Sequence, residues 1–223
     1  MSISSENSSK NEIDILRQQK KLLCEYWKKN ESISNSSVLQ AFLDVRRELF
    51  VDPDYYYNSY NDRALPIGLG QTISQPSTVM LMLQLLGVSP GQIVLEIGTG
   101  SGYNAALLSR LTEPKGMVVT IERHSKLVKL AKKNLINNNF QEVLVINGDG
   151  KDGYEKLAPF DRIVITAASD RVPQNLKDQL NVGGFIVAPI GKTNGCDMLK
   201  IEKISDKNFK ISSHGTFSFV PLI

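Results

Sequence analysis

The sequence predicts an α/β fold, a doubly wound and mostly parallel sheet with N-terminal helices and antiparallel C-terminal strands. Three observations predict it. Between residues 76 and 188 short apolar runs alternate with amphipathic runs of helical length, the rhythm of strand–helix–strand units. The first apolar run opens directly into a glycine-rich turn. From Met198 onward two strand-like runs follow each other with no helix between them.

Each element has its own signal. Residues 1–11, rich in Ser and Asn, predict a disordered tail. Ile13, Leu16, Leu23 and Trp27 recur near helical spacing and predict a helix over 12–29. Ser36 or Ser37 is the expected cap of a second helix carrying Leu39, Phe42, Val45 and Leu49 on one face. After Pro53, the stretch Tyr55-Tyr56-Tyr57-Asn58 reads as a loop. Pro76 suits the first turn of a third helix, Met80, Leu83 and Leu86 give it an apolar face, and Gly87 can end it.

Strands are expected at Ile93–Ile97, Met117–Ile121, Val143–Ile146, Arg162–Thr166 and Phe185–Ala188. Helices are expected after the glycine turn as far as Leu111, over 125–136 and over Pro173–Leu180. Met198–Ile204 and Lys210–Val220 supply the antiparallel ending.

Composition bounds the function. The 223 residues fit a single domain, and 41% apolar with 22% charged residues is ordinary for one buried core. A net charge of +3 argues neither for nor against a nucleic-acid partner. Lys126, Lys129, Lys132 and Lys133 read as the wet face of a helix. Cys24 and Cys196 have no partner at ligand spacing, so no metal site is expected and a reduced, cytoplasmic protein is. The N-terminus lacks the apolar stretch of a signal peptide, and no apolar run is long enough to cross a bilayer.

The chemistry concentrates at Val94-Leu95-Glu96-Ile97-Gly98-Thr99-Gly100-Ser101-Gly102. Gly98, Gly100 and Gly102 let the backbone turn sharply and approach a ligand closely, with Thr99 between them. The spacing is G-x-G-x-G rather than the G-x-G-x-x-G of a dinucleotide-binding turn. Glu96, two residues before the first glycine, would repel a pyrophosphate but can accept from an ammonium. S-adenosyl-L-methionine has an ammonium and no phosphate. Glu122 ends the next strand, where an acid can accept from both ribose hydroxyls. Asp149, followed by Gly150, ends the third and could accept from an adenine amino group; turn chemistry alone would also explain it. All three acids fall at carboxyl ends of strands, where open α/β sheets bind ligands.

Glu96–Gly102, Glu122 and Asp149 resemble the cofactor motifs of the Rossmann-like class I methyltransferase fold. Ala64-Leu65-Pro66-Ile67-Gly68 and Gly70-Gln71-Thr72-Ile73-Ser74-Gln75-Pro76 narrow the resemblance to the protein-L-isoaspartate O-methyltransferase family. Thr166-Ala167-Ala168, Val172-Pro173, Asp178-Gln179-Leu180, Gly183-Gly184, Pro189-Ile190-Gly191 and Phe219-Val220-Pro221-Leu222 continue it in order. The resemblance implies transfer of a methyl group from S-adenosyl-L-methionine to the α-carboxylate of L-isoaspartyl residues. The ester then cyclises to a succinimide and begins repair.

It also implies roles. Gln71, Thr72, Ile73 and Ser74 would line the cofactor and close over it, with the Ser74 hydroxyl near the reacting carboxylate. Leu65-Pro66-Ile67 and Val220-Pro221-Leu222 would grip the substrate peptide. Residues 12–75 would hold the N-terminal helices and the covering segment, and 76–223 the core. The expected partners are isoaspartyl proteins and peptides, with no nucleic acid or membrane, and the chain is expected to be a monomer. The family usually carries a few residues beyond Val-Pro-Leu, whereas this sequence stops at Ile223, so contacts made there would be lost or replaced.

Structural alternatives accompany these roles: Pro66 and Pro76 only shaping turns, Ser74 only capping a helix. Functional alternatives are a methyltransferase of another substrate and a non-catalytic cofactor-binding homologue. Against a nucleic-acid amino-methylase, the fourth strand is followed by Thr166-Ala167-Ala168-Ser169 rather than an Asn/Asp-Pro-Pro-aromatic run. Against a cytosine-C5 enzyme, neither cysteine follows a proline.

Overall fold

In the computed structural model the described residues are 3–193 and 195–222. Residues 1–2 of the expected tail, and Ile223, lie outside them. Seven strands form one sheet in the order β5-β4-β3-β6-β7-β8-β9. They are β3 (Ile93–Ile97), β4 (Met117–Glu122), β5 (Leu144–Asn147), β6 (Phe160–Ile165), β7 (Leu180–Lys192), β8 (Gly195–Lys203) and β9 (Phe209–Phe217). Strands β3 to β7 pair in parallel, and β8 and β9 add antiparallel. The sheet is therefore mostly parallel with an antiparallel ending, as the run of elements predicts.

Helices α3 (Pro76–Leu86), α4 (Tyr103–Thr112), α5 (Ser125–Asn137) and the short α6 (Gln174–Asp178) fall where expected. Gly87 closes α3 in a left-handed conformation, and Lys126, Lys129, Lys132 and Lys133 of α5 are exposed. Buried residues form two clusters. Val94, Val118, Val164 and Val187 share one with Trp27, Phe42, Met80 and Leu107, whereas Leu95, Ile97, Ile121, Ile163 and Ile186 share the other with Leu176. Alternation along a strand explains the division, since successive side chains point to opposite faces. Glu96 therefore emerges on the same face as Val94, the face covered by α4.

The structure differs from the sequence expectations in several places. Helix α1 runs Ile3–Lys29, so the helical backbone begins well before residue 12. No Gly or Pro interrupts that stretch, and extending an anchored helix costs little compared with nucleating one. Asn35, not Ser36 or Ser37, caps α2 (Ser36–Asp44), its side chain accepting from Val38 N at 3.1 Å. The α2 face ends at Phe42; Val45 is the C-cap and Leu49 belongs to a following 3-10 turn. Tyr55-Tyr56-Tyr57-Asn58 is part of a 3-10 helix, Pro53–Asn58, opened by the proline and by Asp52 accepting from Asp54 N.

Two strands beyond those expected, β1 (Leu65–Gly68) and β2 (Gln71–Ile73), form an antiparallel hairpin before α3. The N-terminal helices dock this region onto the core. Trp27 is buried, packs edge-on against Phe42 and donates to Ser77 Oγ at 2.6 Å. Lys20 Nζ donates to the carbonyls of Leu43 and Val45, and burial lowers its pKa to about 8.

Candidate active site

The glycine turn between β3 and α4 is held from three sides. Gly98 has φ +98°, and a Cβ there would lie 2.4 Å from Thr166 Oγ1. That hydroxyl is fixed, donating between the carbonyls of Ile97 and Gly98 at 3.0 and 2.8 Å. From β4, Glu122 accepts from Gly100 N at 3.0 Å and from His124 N at 2.9 Å. From β1, the Ile67 side chain comes within 3.2 Å of where a Gly100 Cβ would stand. Beside the turn, Gly150 lies so close to Ile97 that a Cβ would sit 2.2 Å from its Cγ2. Asp149, exposed, caps the 3-10 turn Gly150–Asp152 by accepting from Lys151 N.

Glu96 is completely enclosed. One carboxylate oxygen accepts from Asn104 Nδ2 at 2.7 Å and the other from Thr120 Oγ1 at 2.5 Å, and Thr120 in turn lies 2.6 Å from Thr99 Oγ1. Burial pushes its pKa up to about 7, against the opposing pull of these hydrogen bonds. Nothing in the sequence marks Asn104 as its partner. Thr120 leaves a signal: a polar residue inside the apolar run Val118–Ile121.

Two clefts meet at Ser74. One, of ≈ 450 Å³, lies over the glycine turn, with Thr72, Ser74, Gly98–Ser101, Asn104 and Thr166 among its walls. Ile73, Val79 and Met82 give it an apolar side. The second, of ≈ 680 Å³, runs from Ala64 and Gln75 to Thr193, Ser218, Phe219 and Val220. Thr72 and Ser74 line both. The C-terminal segment is tied down at this point. Ala168 N donates to Val220 O at 2.8 Å, Leu222 N to Ala168 O at 2.7 Å and Phe219 N to Thr193 O at 3.0 Å.

The structure thus brings Thr72, Ile73, Ser74, Gly98, Thr99, Gly100 and Val220 to these clefts. Glu96, Gly102 and Glu122 back the turn rather than wall the cleft, and Leu65 is buried beneath the hairpin while Pro66 is exposed on it. Gln71 is half-buried in β2, paired with Gly68; Pro221 and Leu222 border a third, wider groove.

The helix-cap role open to Ser74 falls elsewhere. Asp62 accepts from Ser77 N at 2.9 Å, from Ser77 Oγ at 2.6 Å and from Gln75 Nε2 at 3.2 Å, occupying the N-terminus of α3. Among the described residues, the half-buried Ser74 hydroxyl has no hydrogen-bond partner. Sequence reasoning missed Asp62, which stands 15 positions from the backbone it caps, where a local capping pattern gives no signal.

Known proteins match this chain along most of its length. A family model described as protein-L-isoaspartate(D-aspartate) O-methyltransferase matches residues 17–223. A protein-L-isoaspartate O-methyltransferase of Methanopyrus kandleri is 41% identical over 210 residues, 94% of this chain and 93% of its own. That of Thermococcus sibiricus is 45% identical over 194 residues, 86% of this chain and 87% of its own. Among solved structures, one protein-L-isoaspartate O-methyltransferase superposes with a TM-score of 0.80 at 30% identity, covering 91% of this chain and 65% of that one. A Plasmodium falciparum structure assigned to the same activity, in complex with S-adenosyl-L-homocysteine, also gives 0.80, at 24% identity, covering 91% of this chain and 97% of that one. At that identity the second likeness speaks for the fold alone.

Proposed function

This chain belongs to the protein-L-isoaspartate(D-aspartate) O-methyltransferase family, and from that premise we propose how its residues divide the work. The reaction moves a methyl group from S-adenosyl-L-methionine to the free α-carboxylate of an L-isoaspartyl residue in a damaged protein, and so begins its repair. When bound, S-adenosyl-L-methionine supplies a methyl carbon made electrophilic by its sulfonium.

The residues fit such a group. Gly98 and Gly150 lie too close to Thr166 and Ile97 to carry a side chain, which keeps the turn and the Asp149 loop tight beside each other, and Glu96 is a carboxylate buried beside the turn with no cation among the described residues. Glu122 retains lone pairs for ribose hydroxyls beyond the two backbone bonds it accepts. Asp149 and Gly150 would meet the adenine, and Gln71–Ser74 would cover the methionine end. Enclosed as it is, Glu96 acts on the ammonium through Asn104, which it orients into the cleft wall, and through its charge. Leu65–Ile67 and Val220–Leu222 would hold the peptide.

The observation that carries the reading is Ser74, on the wall of both clefts with an unused hydroxyl. We assign it to donate to the carboxylate that is methylated. No general base is needed, because an α-carboxyl with a reference pKa of about 3.5 is ionised at neutral pH. Ile73, Val79 and Met82 keep water from the reacting pair, which favours a step in which opposite charges cancel. We read residues 12–75 as the cover and 76–223 as the core of a single domain. We read the chain as a cytoplasmic monomer without a nucleic-acid partner; both cysteines are unpaired, and no helix of the described residues is long and apolar enough to cross a membrane.

Two peptides differing only in aspartyl versus isoaspartyl linkage test the function. Labelled methyl from S-adenosyl-L-methionine is expected as base-labile ester on the isoaspartyl peptide alone; equal labelling of both, or of neither, would sink the reading.

The raised pKa of Glu96 gives a second expected result. Its protonated form dominates below about pH 7 in the free protein, and a ligand ammonium favours the ionised form. Affinity for S-adenosyl-L-homocysteine therefore rises with pH up to about 7, by at most about tenfold per unit, and levels off above it. Binding below pH 7 releases a proton, measurable by calorimetry in buffers of different ionisation enthalpy. For the free protein the sign is opposite. A carboxyl with a raised folded pKa contributes stability at low pH, and this declines as pH rises from the unfolded value to about 7. Glu96→Gln flattens both profiles.

A further inference from the structure

Beyond the two clefts at Ser74 lies a third and wider groove, of ≈ 1940 Å³. It shares Thr193 with the second cleft, and Pro221 and Leu222 form part of its rim. The three therefore adjoin in series, the first and second at Thr72 and Ser74 and the second and third at Thr193. Its charges are uneven. Lys151, Arg171, Lys177 and Lys192 line it against Asp152 and Asp170. None of the six forms an ion pair among the described residues; the ion pairs there are Arg17–Asp14, Arg46–Glu48 and Arg110–Glu113. Lys151, Arg171 and Lys192 are exposed, and Lys177 lies half-buried over the Phe209 ring. Four cations with no ion pair among the described residues leave a positive field beside the peptide's course that surface salt bridges would otherwise have cancelled.

Resting on the isoaspartyl reading above, we propose that this groove receives one flank of the substrate chain and selects for acidic side chains there. Arg171 and Lys192, both exposed and both lining the groove together with Pro221 and Leu222, are the specificity-determining residues; they position the flank and take no part in methyl transfer. An acidic peptide fits better than a nucleic acid because two carboxylates, Asp152 and Asp170, stand among the cations. They would repel a phosphate backbone at every step, but a peptide carries its charges singly and can place a carboxylate between them.

The test uses the full chain and a peptide series with one isoaspartyl linkage and Glu, Ala or Lys two residues before or after it. On one flank Glu is expected to give a KM about fivefold below that of Lys, the size two exposed ion pairs allow, with kcat unchanged. The ratio should shrink toward one at high salt. Arg171→Glu and Lys192→Glu should abolish or reverse it. Lys126→Glu, the same charge change on the exposed face of α5, should leave it as it was. Equal KM values for all flanks, a ratio that survives in Arg171→Glu, or an equal shift in Lys126→Glu overturns the proposal while the isoaspartyl reading stands. Tight binding of a single-stranded oligonucleotide at 0.15 M salt, lost in Arg171→Glu, overturns it in favour of a nucleic-acid surface. Failure to methylate any isoaspartyl peptide removes the reading on which it rests.

Discussion

Gly98→Ala is expected to abolish cofactor binding and to cost roughly 2–4 kcal/mol of stability, the sum of a non-glycine residue at positive φ and an overpacked contact. Two separate faults cause this. The backbone at this position has φ +98°, which L-residues adopt only at a cost, and the added methyl would stand 2.4 Å from Thr166 Oγ1. Thr166 cannot simply turn away, because its hydroxyl holds the carbonyls of Ile97 and Gly98 and so fixes the end of β3. The turn must move, and with it the Gly100 amide that Glu122 receives. Calorimetric titration with S-adenosyl-L-homocysteine should show affinity reduced by more than about 100-fold, and the thermal midpoint should fall. The double variant Gly98→Ala with Thr166→Ala separates the faults. It removes the steric contact and leaves the φ penalty, so part of the stability should return. No recovery would mean that Thr166 is not the obstacle, and an unchanged affinity in the single variant would mean that no ligand lies across this turn.

Local patterns were legible in the sequence, and distant pairings were not. The strand before Gly98, the acid at Glu96 and the next acid at Glu122 could be read because each is a feature of a few consecutive residues. Their common location follows from the parallel order of the strands. The sheet ending was legible for the same reason, since Met198 onward carries no helical period. Ser74 was legible only through the resemblance of Gln71–Pro76 to a known family. Physical reading alone left it as a helix cap, and the residue that takes that role, Asp62, lies outside α3 altogether. The enclosure of Glu96 was not legible. Its two donors come from α4 and β4, 8 and 24 positions away, and periodicity is silent about which side chains meet across a strand end. The groove beyond Thr193 was equally hidden. Lys151 comes from a 3-10 turn, Arg171 from the connection after β6 and Lys192 from the end of β7, and no local pattern shows that they line one opening.

Ser74→Ala is expected to lower kcat about 10–100-fold while the affinity for S-adenosyl-L-homocysteine changes by less than about threefold. The size follows from losing one hydrogen bond to a charged group, about 1.5–3 kcal/mol, at a point where the bond aligns the attacking oxygen. The asymmetry follows from position. Ser74 lines the cleft over the turn but is also the wall shared with the cleft leading to Val220, so it faces the second reactant as well as the first. A helix-cap role predicts something else. If the hydroxyl merely closed the first turn of α3, the variant would lose stability, typically about 1 kcal/mol, and methyl transfer would follow stability. That loss belongs to Asp62→Ala, since Asp62 accepts from Ser77 N and Oγ. The two variants should therefore separate cleanly in one pair of measurements. Asp62→Ala should lower the thermal midpoint, and Ser74→Ala should leave it within about 0.5 kcal/mol of the parent while turnover falls. Equal losses of cofactor affinity and turnover in Ser74→Ala would instead mean that the hydroxyl serves the cofactor alone. The carboxylate would then have to be held by backbone N–H groups of the Val220 segment.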